Sequence, residues 1–399
     1  MREERFDVVV IGAGPAGSRT AALTAAAGLS TLLLEKRERV GFPVRCAEAV
    51  GPRRDIERFL PLDDDLVSSP IDGFALVSPA GERFAARMPG IGFVVDREAF
   101  DRRLAGAAVK AGAVLRTSHQ ATGLLHTDGR VAGAEVTDLA TVERYRVTAA
   151  VTVGADGVEC HSPRWAGLKG SYRPAEVMSC AQRLVEGIDV GERMIEFHLG
   201  GSVAPGGYAW VFPKGPSSAN AGLGINPLRA GGIRAIDYLE RFLSRQCPGA
   251  SRERLVVGGT IVARGLPRLA TGGYLAVGEA ANQNNPFSGG GIVNALEGAD
   301  LAAGTIVEAL AGGGPTARAL SRYTDRWNRT TGRANKRFWR AAQFFYGLGD
   351  DAMERVIGRM RRTPGLIGES GVDPLRLLLA LARSDPRLVF RLAAGILKR

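Results

Sequence analysis

The chain has 399 residues, of which 45% are hydrophobic and 23% charged, enough for one large domain or two interleaved ones with an ample core. Cys46, Cys160, Cys180 and Cys247 are widely spaced with no CxxC pair, which speaks against a zinc site or a disulfide framework and suits a reducing cytoplasm. No apolar run of about 18 residues occurs, and Arg2, Glu3 and Glu4 lead into a strand, so neither a spanning helix nor a secretory signal is expected.

The first element is the apolar β-branched run Asp7-Val-Val-Val-Ile11, which feeds into Gly12-Ala-Gly14-Pro-Ala-Gly17. An alanine-rich helical segment follows to Gly28, then a second strand, Thr31 to Leu34, that ends in Glu35. This is the strand–turn–helix–strand order that wraps a dinucleotide. Gly12 makes the tight turn, Gly14 lets the backbone approach a pyrophosphate, and Gly17 lets helix and strand pack closely. The helix N-terminus stabilises phosphate charge, and Glu35 can accept hydrogen bonds from a ribose.

The loop Arg39 to Gly51 is too dense in apolar and special residues for a linker. Short alternating strands are expected between Gly73 and Met88, then an amphipathic helix that begins around Val95 to Leu104 and runs to Lys110. A strand hairpin spans about Leu115 to Tyr145 with Asp128-Gly129 as a turn, and Val147 to Val153 is a buried strand closing on Asp156-Gly157. From Tyr172 to Ile261 short strands and Gly/Pro turns dominate, interrupted by a helix near Ala235 to Gln246. Tyr274 to Glu279 reads as a return to the first sheet, and Gly289 to Gly291 opens a long helix through Leu310. The order of a nucleotide-binding sheet, an antiparallel sheet and a return implies interleaved domains.

The net charge of +11 is concentrated at the C-terminal end. Pro315 to Arg399 holds 18 Lys/Arg against 7 Asp/Glu, leaving 34 of each sign in residues 1–314. Arg318, Arg322, Arg326, Arg329, Arg333, Lys336, Arg337 and Arg340 recur at helical steps, which is the pattern either of a solvated face or of one that docks on an anionic membrane surface or an acidic electron-donor protein. No nucleic-acid module accompanies the charge, so no nucleic-acid partner is expected. His119, His126, His161 and His198 lack ligand spacing, and no metal is assigned.

Four motifs together resemble the geranylgeranyl reductase family, in particular its archaeal-type digeranylgeranylglycerophospholipid reductases. They are the N-terminal fingerprint; Phe42-Pro-Val-Arg-Cys46-Ala-Glu, similar to a PVRCAEG segment; Tyr208-Ala-Trp210-Val-Phe212-Pro213 followed by Gly222-Leu-Gly224; and Gly278-Glu279 through Gly291-Ile292. Glu279 stands where the family usually has Asp, and Ala49 where it has Gly. The resemblance implies an α/β fold with an FAD-binding, Rossmann-type, aromatic-hydroxylase-like domain over residues 1–70, 92–170 and 256–314. It also implies an antiparallel-sheet substrate domain over 71–91 and 171–255, and leaves 315–399 as a basic helical region.

By the same resemblance FAD lies against Ala16, Glu35, Cys46, Ala47, Ala49, Arg97, Ala121, Glu279, Gly291 and Ile292. Arg97 is expected at the pyrophosphate. Gly289 to Gly291 would offer backbone N–H groups to the flavin, or form only a Gly-rich turn with a helix cap. Saturating an isolated alkene needs a hydride and a proton, and flavin N5 can give only the first. A thiol titrates at about 8.5 in model peptides, so Cys46 is the candidate proton donor; otherwise it is a small residue packed on the flavin. Tyr208, Trp210 and Phe212 share a strand face and, with Pro213, either wall an apolar tunnel for a prenyl chain or form an ordinary aromatic core.

The expected activity is FAD-dependent saturation of C=C bonds in geranylgeranyl or polyprenyl chains on lipids or lipid precursors. No second dinucleotide fingerprint is present, so the reductant is either NADPH bound transiently or a redox protein such as ferredoxin. The alternatives are a flavin-dependent monooxygenase or halogenase of the same fold, or a non-catalytic isoprenoid-binding flavoprotein. The halogenase WxWxIP signature is only partly echoed at Tyr208 to Pro213. A cytoplasmic protein, peripheral on the inner face of the membrane, is the expected setting.

Overall fold

The computed structural model describes residues 2–168, 172–191, 193–363, 367–368 and 371–372. The chain forms two compact units, each discontinuous in sequence. The first holds Met1–Val44, Arg97–Tyr172 and Ile261–Lys336; the second holds Arg45–Asp96, Arg173–Thr260 and the described part of Arg337–Arg399.

The sheet of the first unit runs Ala270–Thr271, Tyr274–Ala276, Arg144–Gly154, Glu3–Ile11, Thr31–Leu34, Val114–Arg116. From Tyr274–Ala276 onward every one of these pairings is parallel, and an antiparallel hairpin of His119–Thr127 and Arg130–Asp138 joins through Arg144–Gly154. A parallel strand is covered on both faces, which is what the unbroken Val8-Val9-Val10 run provides. Val8 and Val10 pack with Ala16, Ala21, Ala299 and Ile306, while Val9 and Ile11 pack with Ala121, Val136 and Tyr145 on the other side. Helix Pro15–Ala26 begins with proline in its first turn and buries only small residues, as does helix Ile292–Ala311 at Gly298, Ala299, Ala302 and Ala303. Small facing surfaces let the two backbones come close.

The sheet of the second unit runs Ser251–Ile261, Val177–Glu186, Ser218–Ile225, Tyr208–Pro213, Met194–Leu199, Val67–Val77, Arg83–Val95, Ala49–Val50. Met194–Leu199 pairs parallel with Val67–Val77 and antiparallel with Tyr208–Pro213. The short strands expected between Gly73 and Met88 are two long ones. Their register shifts beside Gly73, where a Cβ would stand 2.3 Å from the Ala86 carbonyl oxygen. One sheet face carries helix Ala235–Gln246, which lays Leu239, Phe242 and Leu243 on Ala209, Ala219, Ala221 and Leu223. Its apolar positions fall at helical spacing, so its bounds were readable from the sequence.

The basic C-terminal run is not one continuous face. Helix Ala317–Arg329 ends at Thr330, whose ψ of −120° leaves the helical range, and a separate helix, Thr331–Phe345, follows. Arg326 turns inward to Glu308 (2.6 and 2.8 Å) and to the Thr305 hydroxyl (3.0 Å), while Arg318, Arg322, Arg329, Arg333, Lys336 and Arg337 are exposed. Helix Asp350–Arg361 spends its apolar side internally, with Met353, Val356, Ile357 and Met360 packed on Phe84, Ala86 and Leu199. The apolar stretches Leu375 to Leu381 and Leu388 to Ile396 lie outside the described residues. Among the described residues no helix is long and apolar enough to cross a membrane.

Candidate active site

Sterics build the cradle at the head of the first sheet. Gly12 sits at φ +102°, and a Cβ there would stand 2.5 Å from the Ala155 carbonyl oxygen. At Gly17 a Cβ would lie 1.9 Å from the Gly12 carbonyl oxygen, whereas at Gly14 it would meet nothing within 4 Å. The three glycines therefore have separate duties: a turn, an open approach, and a close helix crossing. No side chain caps the helix at Gly14, so its first-turn amides form a ready receptor for an anion. Glu35 ties the loop to the strand end, accepting from the amides of Ala13 (3.0 Å) and Arg37 (2.9 Å). Ala16 is buried, and its methyl would lie 2.8 Å from a Cβ on Gly278.

The return strand stops at Ala276 rather than Glu279, because Gly278 takes φ +69° and the chain coils into the turn Gly278–Ala281. Glu279 Oε1 there accepts the Ile261 amide at 3.0 Å. A buried amide network, invisible in the sequence pattern, fixes this segment. Gln283 accepts from Gly278 N (2.7 Å) and donates to the Tyr323 hydroxyl (2.8 Å); Asn284 donates to the Ile261 carbonyl (2.6 Å); Asn335 donates to the carbonyls of Gln283 (3.0 Å) and Asn284 (3.2 Å).

Of the three glycines expected to present amides, Gly289 and Gly290 use theirs inside the turn, on the Asn285 carbonyl (2.8 Å) and the Ser288 hydroxyl (3.2 Å). Gly291 is the N-cap of helix Ile292–Ala311, and no side chain caps it, so the first-turn amides from Ile292 onward have no intrahelical partner. Arg97 opens helix Arg97–Lys110 and places Nε and Nη2 on the two carboxylate oxygens of Asp101, each at 2.9 Å. Its i,i+4 spacing to Asp101 was the readable sign of that pairing. Ala121 is buried in the sheet cluster with Val9 and Leu34. Asp156 accepts from Ser162 N (2.8 Å) and Oγ (2.7 Å), and burial pushes its carboxyl above the usual range.

Cys46, Ala47 and Ala49 belong to the second unit, with Tyr208, Trp210, Phe212 and Pro213. Ala47 and Ala49 pack in one apolar cluster with Ile71, Val94, Tyr208, Trp210 and Phe212. Phe197, which the sequence reading missed, completes the aromatic group, its ring centre 5.3 Å from Tyr208 and 5.4 Å from Phe212. Tyr346 stacks on Tyr208 at 6.2 Å. Burial drives the Tyr208 phenol well above its ordinary range, so it keeps its proton.

Sheet register explains Gly222 and Gly224. Trp210 lies opposite Gly222, which lies opposite Gln182; Tyr208, Gly224 and Cys180 form the next such row. A Cβ on Gly222 would stand 2.5 Å from the indole ring. The indole thus lies across the bare strand and reaches Gln182 on the far side, Nε1 to Oε1 at 3.0 Å. Gly222→Ala is expected to cost roughly 1–3 kcal/mol of stability and to shift tryptophan emission, checked by chemical denaturation and fluorescence; unchanged values of both would refute this placement.

A parallel dinucleotide-type sheet, glycine-cradled at its head, and a second sheet with an aromatic face over a cysteine loop define the class: an oxidoreductase of the two-sheet flavoenzyme fold. The geranylgeranyl reductase catalytic domain family matches residues 176–262, and an NAD(P)-binding Rossmann-like family matches residues 10–59. The digeranylgeranylglycerophospholipid reductase of Methanosarcina acetivorans is 36% identical over 394 residues, spanning 97% of this chain and 95% of that one. The crystal structure of a geranylgeranyl bacteriochlorophyll reductase-like protein from Thermoplasma acidophilum superposes with a TM-score of 0.90 at 30% identity, covering 99% of this chain and all of that one. A myxobacterial FAD-dependent chondrochloren halogenase shares the fold alone, with a TM-score of 0.70 at 19% identity over 97% of each chain. The chain belongs to the geranylgeranyl reductase family.

Proposed function

We propose that this chain is an FAD-dependent reductase that saturates C=C bonds of geranylgeranyl or other polyprenyl chains carried on lipids or lipid precursors. One observation carries the reading: an apolar face built by Tyr208, Trp210, Phe212 and Phe197 packs with Ala47 and Ala49, on the segment that bears Cys46. The first unit fits FAD by its uncapped helix start, the open space at Gly14, and Glu35 beside the glycine loop. When bound and reduced, the flavin supplies a hydride from N5. The chain supplies the rest. Aromatic side chains replace water around the prenyl group, and Cys46 delivers the proton to the second carbon. The Glu48 amide donates to Cys46 Sγ at 3.2 Å, so the sulfur's own hydrogen is directed elsewhere. NADPH or a redox protein such as ferredoxin would restore the reduced flavin.

Chemical reduction of the purified flavoprotein without air, followed by geranylgeranyl lipid, should yield product heavier by two hydrogens per bond saturated. Oxygen-dependent NADPH consumption stimulated by an aromatic substrate, with no lipid product, would instead mark a monooxygenase or halogenase. Flavin that binds but is never reoxidised by lipid would mark a carrier.

The same reading places the protein in the cytoplasm, peripheral on anionic membrane, with Arg318, Arg322, Arg329, Arg333 and Lys336 as the attracting charges. Changing these five to glutamine should release the protein from phosphatidylserine-containing vesicles, since each basic residue near such a surface contributes about 1 kcal/mol. Sedimentation with neutral vesicles equal to that with anionic ones would end the proposal.

A further inference from the structure

The loop that carries Cys46 is held by two braces from the sheet of its own unit. In one, Gln182 donates from Nε2 to the Cys46 carbonyl at 3.1 Å while its Oε1 accepts from Trp210 Nε1 at 3.0 Å. Gln182 is 9% exposed, so water does not replace these partners cheaply. A carbonyl can only accept and an indole N–H can only donate, so the two partners dictate which end of the amide faces which. Reversing the amide would set donor against donor and acceptor against acceptor.

In the other brace, Asn220 Nδ2 donates to the Ala47 carbonyl (3.2 Å) and to Glu48 Oε2 (2.6 Å), and Lys214 Nζ stands 2.9 Å from that same oxygen. Glu48 is buried and sits at φ +71°, a conformation that a side-chain-bearing residue adopts only when its surroundings hold it. Within the same loop the Glu48 amide donates to Cys46 Sγ, 3.2 Å away.

We propose that Gln182 is a positioning residue: oriented by Trp210, it pins the Cys46 carbonyl so that the thiol's direction is fixed. This rests on the reading of Cys46 as proton donor, and it gives the glycine at position 222 a purpose. Only a bare backbone there lets the indole reach across to the amide. Trp210 thus acts on the loop through its N–H as well as on the apolar face through its ring.

Gln182→Leu roughly keeps the volume and removes both hydrogen bonds; Trp210→Phe keeps an aromatic ring on the apolar face but removes the indole N–H together with part of the ring's bulk. Two readouts are measured on the purified protein: the rate of iodoacetamide alkylation at Cys46, resolved by peptide mass spectrometry with buried Cys247 as reference, and kcat and KM for geranylgeranyl lipid reduction. Gln182→Leu should raise Cys46 alkylation by about fivefold and lower kcat by about tenfold, with KM and flavin content unchanged. Trp210→Phe should move both in the same direction by less. Gln182→Glu should recover kcat as pH falls, when the new carboxyl takes a proton and can donate to the Cys46 carbonyl again. Unchanged Cys46 alkylation in both Gln182→Leu and Trp210→Phe would overturn the proposal. Raised alkylation in a protein whose wild-type form reduces no prenyl lipid would support the brace and refute only the proposed function.

Discussion

Gly17→Ala is expected to purify without flavin and to melt early, whereas Gly14→Ala is expected to melt normally and still bind flavin poorly. The two positions differ in what a methyl group meets. At Gly17 it would lie 1.9 Å from the Gly12 carbonyl oxygen and 3.1 Å from the Ala155 methyl, so helix and turn must part. Overpacking of that kind costs about 1–3 kcal/mol, and the glycine loop that should meet the pyrophosphate is displaced with it. At Gly14 the methyl meets nothing of the protein within 4 Å, so on the proposed reading it would intrude only on bound flavin. A flavin affinity lowered by about tenfold or more is expected for both, a loss of stability for the first alone. Equal melting of the two variants, read with flavin titration, would show that the cradle is not built as described.

Cys46→Ala should lower kcat for prenyl reduction by about a hundredfold or more, the usual range for losing a positioned general acid, with flavin content and KM preserved. Cys46→Ser should recover part of the rate, because a hydroxyl also carries a proton to give. The thiol's surroundings favour this outcome over a packing role. Removal of the side chain loses the Glu48 amide's contact with the sulfur, but the Cys46 carbonyl still receives Gln182, so the loop stays braced by its backbone. Full activity in Cys46→Ala would remove Cys46 from the chemistry and shift attention to the buried, protonated Tyr208 phenol.

What the sequence disclosed and what it withheld follow from the range of the forces involved. The turn at Gly12, the helix from Pro15 and the strand Thr31–Leu34 are set by neighbours within a few residues, and they stand where the motif put them. Helix Ala235–Gln246 was legible for the same reason, through its apolar spacing. Glu279 was placed on a strand, since a Gly-Glu pair after an apolar run does not announce that the glycine will turn left-handed. The arginine steps from Arg318 to Arg340 suggested a single face because charge spacing says nothing of the backbone break at Thr330. Gln182, Asn220 and Lys214 were invisible. Their role depends on register across three strands, and only Gly222 opposite Trp210 hinted at it.

The first unit is assembled from three separated stretches of chain, and that sets a timetable for its birth. Val8 and Val10 leave the ribosome early, yet the partners that cover them include Ala299, Ile306 and Leu320, three hundred residues later. At about 5–20 residues per second, the central strand waits on the order of 15–60 s with oily surface showing. Nascent chains halted before the Ile292–Ala311 helix should therefore be clients of holding chaperones, and a gene cut anywhere in that interval should give inclusion bodies rather than a smaller working enzyme.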